Sequence, residues 1–263
     1  MPKTGGGRAG LLMKRQQPLN APEVATFRLL PDLNVIKVGA TSIIEADPEP
    51  LLSLVEEIAA LSKEYQLLIS TGGGERHRHA LSIGVDLNMP IGVLAVIGAA
   101  APSQNALILQ ALLAAEGGIR VPPEHFDEIP VYLASGAIPV TPGMPTYNYW
   151  EHPPTEGELP AHDTDVGAYL VAETFGARTV VFAKDVDGVY TDDPKMNADA
   201  TLLTSTTVKE VRELPALPFD RPVLDMLERA RTVREVRVVN GTKKGQLTAA
   251  LAGEDVGTVV RAS

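Results

Sequence analysis

From Asn34 onward, short apolar runs alternate with longer stretches in which apolar residues recur at helical spacing. Val35–Val38 is an apolar run ending at Gly39, the pattern of a buried strand. Leu51, Leu54, Val55, Ile58 and Leu61 then follow the 3.6-residue period, and Asp47-Pro48-Glu49 in front of them supplies a cap residue, an N1 proline and an acidic first turn. Leu67–Thr71 predicts a second strand that runs into Gly72-Gly73-Gly74. The uncharged stretch 87–115 holds Pro90, Pro102, Ser103, Gln104 and Asn105, which predicts two buried elements split by a polar turn, with Ser103 capping a helix through Ala114. Ile129–Leu133 and Ala137–Val140 predict strands, and Asp165–Phe175 a helix stopped by Gly176. Thr179–Lys184, rich in β-branched residues, predicts a strand. A helix over Val223–Arg231, a strand over Val236–Asn240, a short helix over Leu247–Leu251 and a last strand over Thr258–Arg261 complete the pattern.

Strands that alternate with helices, and whose apolar runs do not alternate with polar residues, indicate an α/β fold with a mainly parallel sheet covered on both faces. Residues 1–25 show no apolar period and are expected to be a peripheral arm, leaving 26–263 as one domain. Pro142–Pro160, rich in Pro, Tyr and Glu, is the longest loop-like segment, of a length that usually carries function.

Composition narrows the function. Of 263 residues, 44% are hydrophobic, so a packed core is within reach without staples. The absence of cysteine removes disulfides, thiolate nucleophiles and Cys-ligated metals. A net charge of −10 and 5% aromatics argue against nucleic acid as a partner, though a local cationic pocket still suits small anions. No signal peptide precedes Lys14 and Arg15, and the polar residues inside 87–115 argue against a lipid-exposed span, so a cytoplasmic protein without membrane contact is expected.

Four segments carry candidate chemistry. Lys37 lies within a short apolar strand, where an ammonium either meets an anion or extends past a sheet edge into water. Gly72-Gly73-Gly74 follows a strand, so its N–H groups either cradle an anion, with Arg76 and Arg78 adding charge, or simply make a tight turn. Neither a P-loop nor a G-x-G-x-x-G fingerprint is present. Asp165 is either a helix cap or a carboxylate that orients lysines or Mg²⁺ at a phosphate. Lys184-Asp185-Val186-Asp187-Gly188-Val189-Tyr190-Thr191-Asp192-Asp193-Pro194 suits a nucleotide, with Lys184 on phosphate and the turn backbone on the base. The histidines at 77, 79, 125, 152 and 162 show no metal-ligand spacing.

Thr164-Asp165 through Ala168, Ala183-Lys184-Asp185 through Pro194, Asp199-Ala200-Thr201 and Gly245 through Thr258 resemble the amino-acid kinase family, and bacterial uridylate kinases within it. The resemblance implies a three-layer αβα fold that binds ATP with Mg²⁺. It puts Lys37, Gly39, Lys184, Asp187, Gly188, Tyr190 and Pro194 at the nucleotide. It puts Gly72, Gly73, Gly74 and Arg76 at a second, anionic site, and Asp165 at the phosphate-transfer centre with Lys37 and Lys184.

Within the family, Arg28-Leu29-Leu30-Pro31, Arg76–His79, Gly143-Met144-Pro145 with Tyr147 and Trp150, and Val238-Val239-Asn240-Gly241 look like the molybdenum-storage group, its β-type chains in particular. That implies a cytoplasmic hexameric cage, with a second, α-type chain, that packs molybdate or tungstate into polynuclear oxide clusters while hydrolysing ATP. The alternative is phosphoryl transfer from ATP to UMP. Three segments depart from the pattern: Ala40 stands where the family has a second glycine, Asn148-Tyr149-Trp150 where α-type chains have histidines, and Ser135 near a cluster-binding glutamate of β-type chains. His125 and His152 remain as candidate replacements.

Overall fold

A computed structural model describes residues 26–143, 159 and 163–262. The expected arm 1–25, most of the loop 142–160, and His152 lie outside the described residues. The chain runs β1 (Leu33–Val38), a π-helical turn (Ala40–Ile44), α1 (Pro48–Leu61), β2 (Gln66–Thr71), α2 (Gly74–Asp86), α3 (Ile91–Leu112), β3 (Gly118–Arg120), α4 (Ile129–Ala134) and β4 (Ile138–Pro142). It continues through α5 (Thr164–Phe175), β5 (Thr179–Lys184), β6 (Val189–Tyr190), β7 (Leu202–Leu203), β8 (Ser205–Thr207), α6 (Val208–Arg212), α7 (Pro222–Arg229), β9 (Glu235–Asn240), α8 (Gln246–Ala252) and β10 (Thr258–Arg261).

Among the described residues one sheet has the order β3-β4-β2-β1-β5-β9-β10-β8, and β6 pairs with β7 in a separate ribbon. Every ladder of the large sheet is parallel except β9–β10. β1 is central and buried along its whole length, which explains its unbroken apolar run. Ile36, Val38, Ile69 and Val181 face one core with α1 and α8. Val35, Leu68, Val180 and Phe182 face the other with α5 and α7. The architecture is the expected three-layer α/β fold.

Two expectations fail. Ile129–Leu133 is helical, with Pro130 in its first turn; five apolar residues bury equally well as either element. The stretch around Pro102 is not a break, because α3 runs through it. Proline has no N–H, so the Gly98 carbonyl loses its helical donor. His77 of α2 replaces it, with Nδ1 2.8 Å from that oxygen. A carbonyl only accepts, so Nδ1 carries the hydrogen. The polar residues that suggested a turn serve the neighbouring glycine turn: Asn105 Nδ2 donates to the Gly72 carbonyl at 2.7 Å, and the Thr71 hydroxyl donates to the Pro102 carbonyl at 2.8 Å. By length and composition α3 is apolar enough to cross a membrane; Leu94, Ala95, Ala106 and Leu109 are buried in the protein, while Val93, Val96, Leu107, Ile108 and Leu112 are exposed.

Candidate nucleotide and anion site

The carboxyl ends of β1, β2 and β5 open onto a cleft of about 410 Å³, where ligands of open α/β sheets sit. Lys37 is no edge residue, since its strand has partners on both sides. It is 3% exposed, and its Nζ lies 2.7 Å from Asp165 Oδ1. Lys184, at the end of the adjacent β5, donates to both Asp165 oxygens at 3.0 and 2.8 Å. Asp165 is therefore not a cap; Asp163 holds the N-cap position of α5 and accepts from the Thr164 N–H. Burial would raise the Asp165 carboxyl, but the ammonium groups of Lys184 and Lys37 outweigh it and hold it far below the usual carboxylate range. Burial together with the charge of Lys37 pulls Lys184 down, while Lys37 is raised by Asp165 against its own burial.

Asp220 completes this centre. Its Oδ2 accepts from the N–H groups of Asp163, Asp165 and Val166 at 3.0, 3.2 and 3.4 Å, so a distant loop serves the amino end of α5. Its own N–H donates to Asp165 Oδ2 at 3.2 Å. Phe219 stacks on Phe182 of β5 at 5.5 Å between centroids, which fixes this loop against the sheet. Burial, then the charges of Asp165 and Asp163, push Asp220 up to about 7.

The glycine turn behaves only partly as expected. Gly73 and Gly74 line the cleft, and a Cβ at Gly72 would stand 3.2 Å from Lys37 Nζ and 3.3 Å from the Ala40 Cβ. Ala40 is thus accommodated because its neighbour has no side chain. Arg78 lines the cleft; Arg76 instead donates to Glu45 Oε1 at 2.8 Å, Gln104 Oε1 at 3.0 Å and Asn105 Oδ1.

A second hollow of about 200 Å³ continues from the first, sharing Asp185, Lys195, Leu217 and Pro218. Gly188, Tyr190 and Pro194 line it, which gives a strongly charged part and a less polar part in sequence along one groove. Gly188 has no room for a side chain because the Thr258 hydroxyl fills the space. Asp187 lines not this hollow but an adjoining one of about 210 Å³, which shares Asp185, Tyr190, Pro194 and Lys195 with it. There it accepts from Asn240 Nδ2 at 2.8 Å and pairs with Lys243 at 2.6 Å. Gly39 lines the main cleft under the Ala183 carbonyl.

The amino acid kinase family model matches residues 32–240. The chain belongs to the amino acid kinase family. It is 44% identical over 260 residues to the molybdenum storage protein subunit beta of Azotobacter vinelandii, covering 96% of each chain. It is 29% identical to the uridylate kinase of Thermofilum pendens, over 88% of this chain and 98% of that one. The uridylate kinase structure from Archaeoglobus fulgidus shares the fold with a TM-score of 0.68 at 24% identity, over 86% of this chain and 99% of that one.

In this kinase-family chain, Asp220 and Lys195 face the cleft beyond the residues expected to do so, and Arg78 faces it as expected. Lys195 immediately follows Pro194 in the nucleotide-like turn and pairs with Asp185 at 2.6 Å. Asp220 had one signal, its position just ahead of Pro222 at a helix start. Among the described residues no group of three His, Asp or Glu is placed to hold a metal. His125 is exposed and pairs with Glu128 at 2.9 Å, and the Ser135 hydroxyl closes the end of α4 on the Tyr132 carbonyl at 2.7 Å.

Proposed function

We propose that this chain is an ATP-binding subunit of a cytoplasmic oxyanion store, a hexamer built with a second, α-type chain, that loads molybdate or tungstate as oxide clusters. The observation that carries this reading is the 44% identity to a molybdenum storage subunit along 96% of both chains. The groove from Lys37 to Pro194 supports the nucleotide part. Two lysines already aimed at one carboxylate exchange it for phosphate oxygens with little reorganisation, and phosphoryl chemistry consists largely of such positioning and charge neutralisation. Mg²⁺ bound with the nucleotide would neutralise phosphate charge, and Asp163, Asp165, Asp185 and Asp220 are the carboxylates of the cleft that could hold it.

Assembly is supported by α3, which carries no charged residue and exposes Val93, Val96, Leu107, Ile108 and Leu112; Ile83 of the adjacent α2 and Leu87 just after it are exposed as well. An apolar surface of that extent is usually covered. The uridylate kinase relatives at 27 and 29% identity favour a second reading, phosphoryl transfer to UMP.

Elemental mass spectrometry on protein from cells fed molybdate or tungstate, with native mass on the same sample, tests the proposal. Tens of metal atoms per oligomer are expected. An intact ATP-binding oligomer with no metal overturns it and makes UMP-dependent ADP release the next assay.

A further inference from the structure

The amino end of α2 already holds an anion, and the chain itself supplies it. The π-helical turn after β1, anchored by buried Ile43 and closed by the Glu45 N–H on the Ala40 carbonyl at 2.9 Å, leads the chain back over the glycine turn. Glu45 Oε2 accepts from the Glu75 N–H at 2.7 Å and Oε1 from Arg76 Nε at 2.8 Å. Gly74 has φ +70°, and a Cβ there would overlap the Glu45 carboxylate. The two terminal guanidinium nitrogens of Arg76 each donate one hydrogen bond, to Gln104 and to Asn105. Arg76 and its N–H, although burial opposes them, hold Glu45 below the usual carboxylate range, so it is ionised at neutral pH.

A helix N-terminus, a left-handed glycine and an arginine form a site for a phosphate or similar dianion. Here one carboxylate uses all three. An incoming dianion has to break the Glu45–Arg76 pair and then share the space with a displaced like charge. We propose that Glu45 is the resident occupant of this second anion site and closes it to nucleoside monophosphates. This concerns only which anions reach Arg76 and the Glu75 N–H, and it stands whether or not the assembly stores metal.

The test is equilibrium dialysis of the full-length wild type, Glu45→Gln and Glu45→Ala against labelled UMP, with uridine as the phosphate-free control. UMP affinity is expected to rise about tenfold or more in both variants, with uridine binding unchanged. Equal UMP affinity in all three proteins overturns the proposal, as does a gain shared by uridine. If Glu45→Ala does not fold, Glu45→Gln decides alone, because it keeps the length and an acceptor oxygen while removing the charge; unchanged UMP affinity in that variant overturns the proposal.

Discussion

The Nδ1–H of His77 takes the place of a helix hydrogen bond that Pro102 removes, by donating to the Gly98 carbonyl at 2.8 Å. The same ring packs where a Cβ on Gly73 would fall, so it couples the continuity of α3 to the shape of the glycine turn.

Replacing His77 with Phe keeps most of the volume and removes the donor. An unsatisfied buried carbonyl costs about 1–3 kcal/mol, so the denaturant midpoint of His77→Phe should fall accordingly. A midpoint equal to the wild type would show that Gly98 finds another donor.

Asp165→Asn removes the carboxylate shared by two buried ammonium groups. Breaking a buried ion pair from one side costs about 3–5 kcal/mol. The loss should shrink when ATP is present, since phosphate oxygens then take both lysines. Thermal melts with and without ATP measure this, and an identical loss in both conditions refutes the role given to the lysines.

Lys184→Met should weaken ATP binding by about 1.5–3 kcal/mol, roughly ten- to a hundredfold in Kd. The Lys37–Asp165 pair remains to hold β1 to α5. Calorimetry that finds wild-type affinity would place the triphosphate elsewhere.

Stability should respond to pH through two carboxylates in opposite ways. Asp165 is depressed, so its contribution is present above the ordinary carboxylate range and is lost as pH falls below about 4 toward its folded value. Asp220 is raised to about 7, so between the ordinary aspartate range and 7 the folded chain keeps a proton the unfolded chain has lost, and stability declines as pH rises through that window. Asp220→Asn removes the second effect. Its melting temperature relative to wild type should climb between pH 5 and pH 8; a flat difference would contradict the raised value.

The parallel sheet was legible because Val35–Val38, Leu67–Thr71 and Thr179–Lys184 are buried on both faces and therefore carry apolar residues without alternation. Lys37 and Lys184 stood out against that background. Ile129–Ala134 was not legible, since one and a half turns of apolar sequence have no measurable period. The continuity of α3 was hidden because its repair comes from His77, twenty-one residues before Gly98. Asp220 and Glu45 escaped notice for a related reason: each acts on an amide end far along the chain, and no local spacing encodes that. Arg76 was legible as a charge, but its partners were not.

A carboxyl poised near neutrality beside Lys37 and Lys184 couples its own proton to the charge of any anion that enters the cleft. Nucleotide phosphates brought next to Asp220 add negative charge and raise its affinity for a proton, so ATP alone should draw protons from solution at pH 7. The heat of binding then includes the ionisation enthalpy of whichever buffer supplies them, and titrations in phosphate and in Tris should differ by an amount that counts those protons.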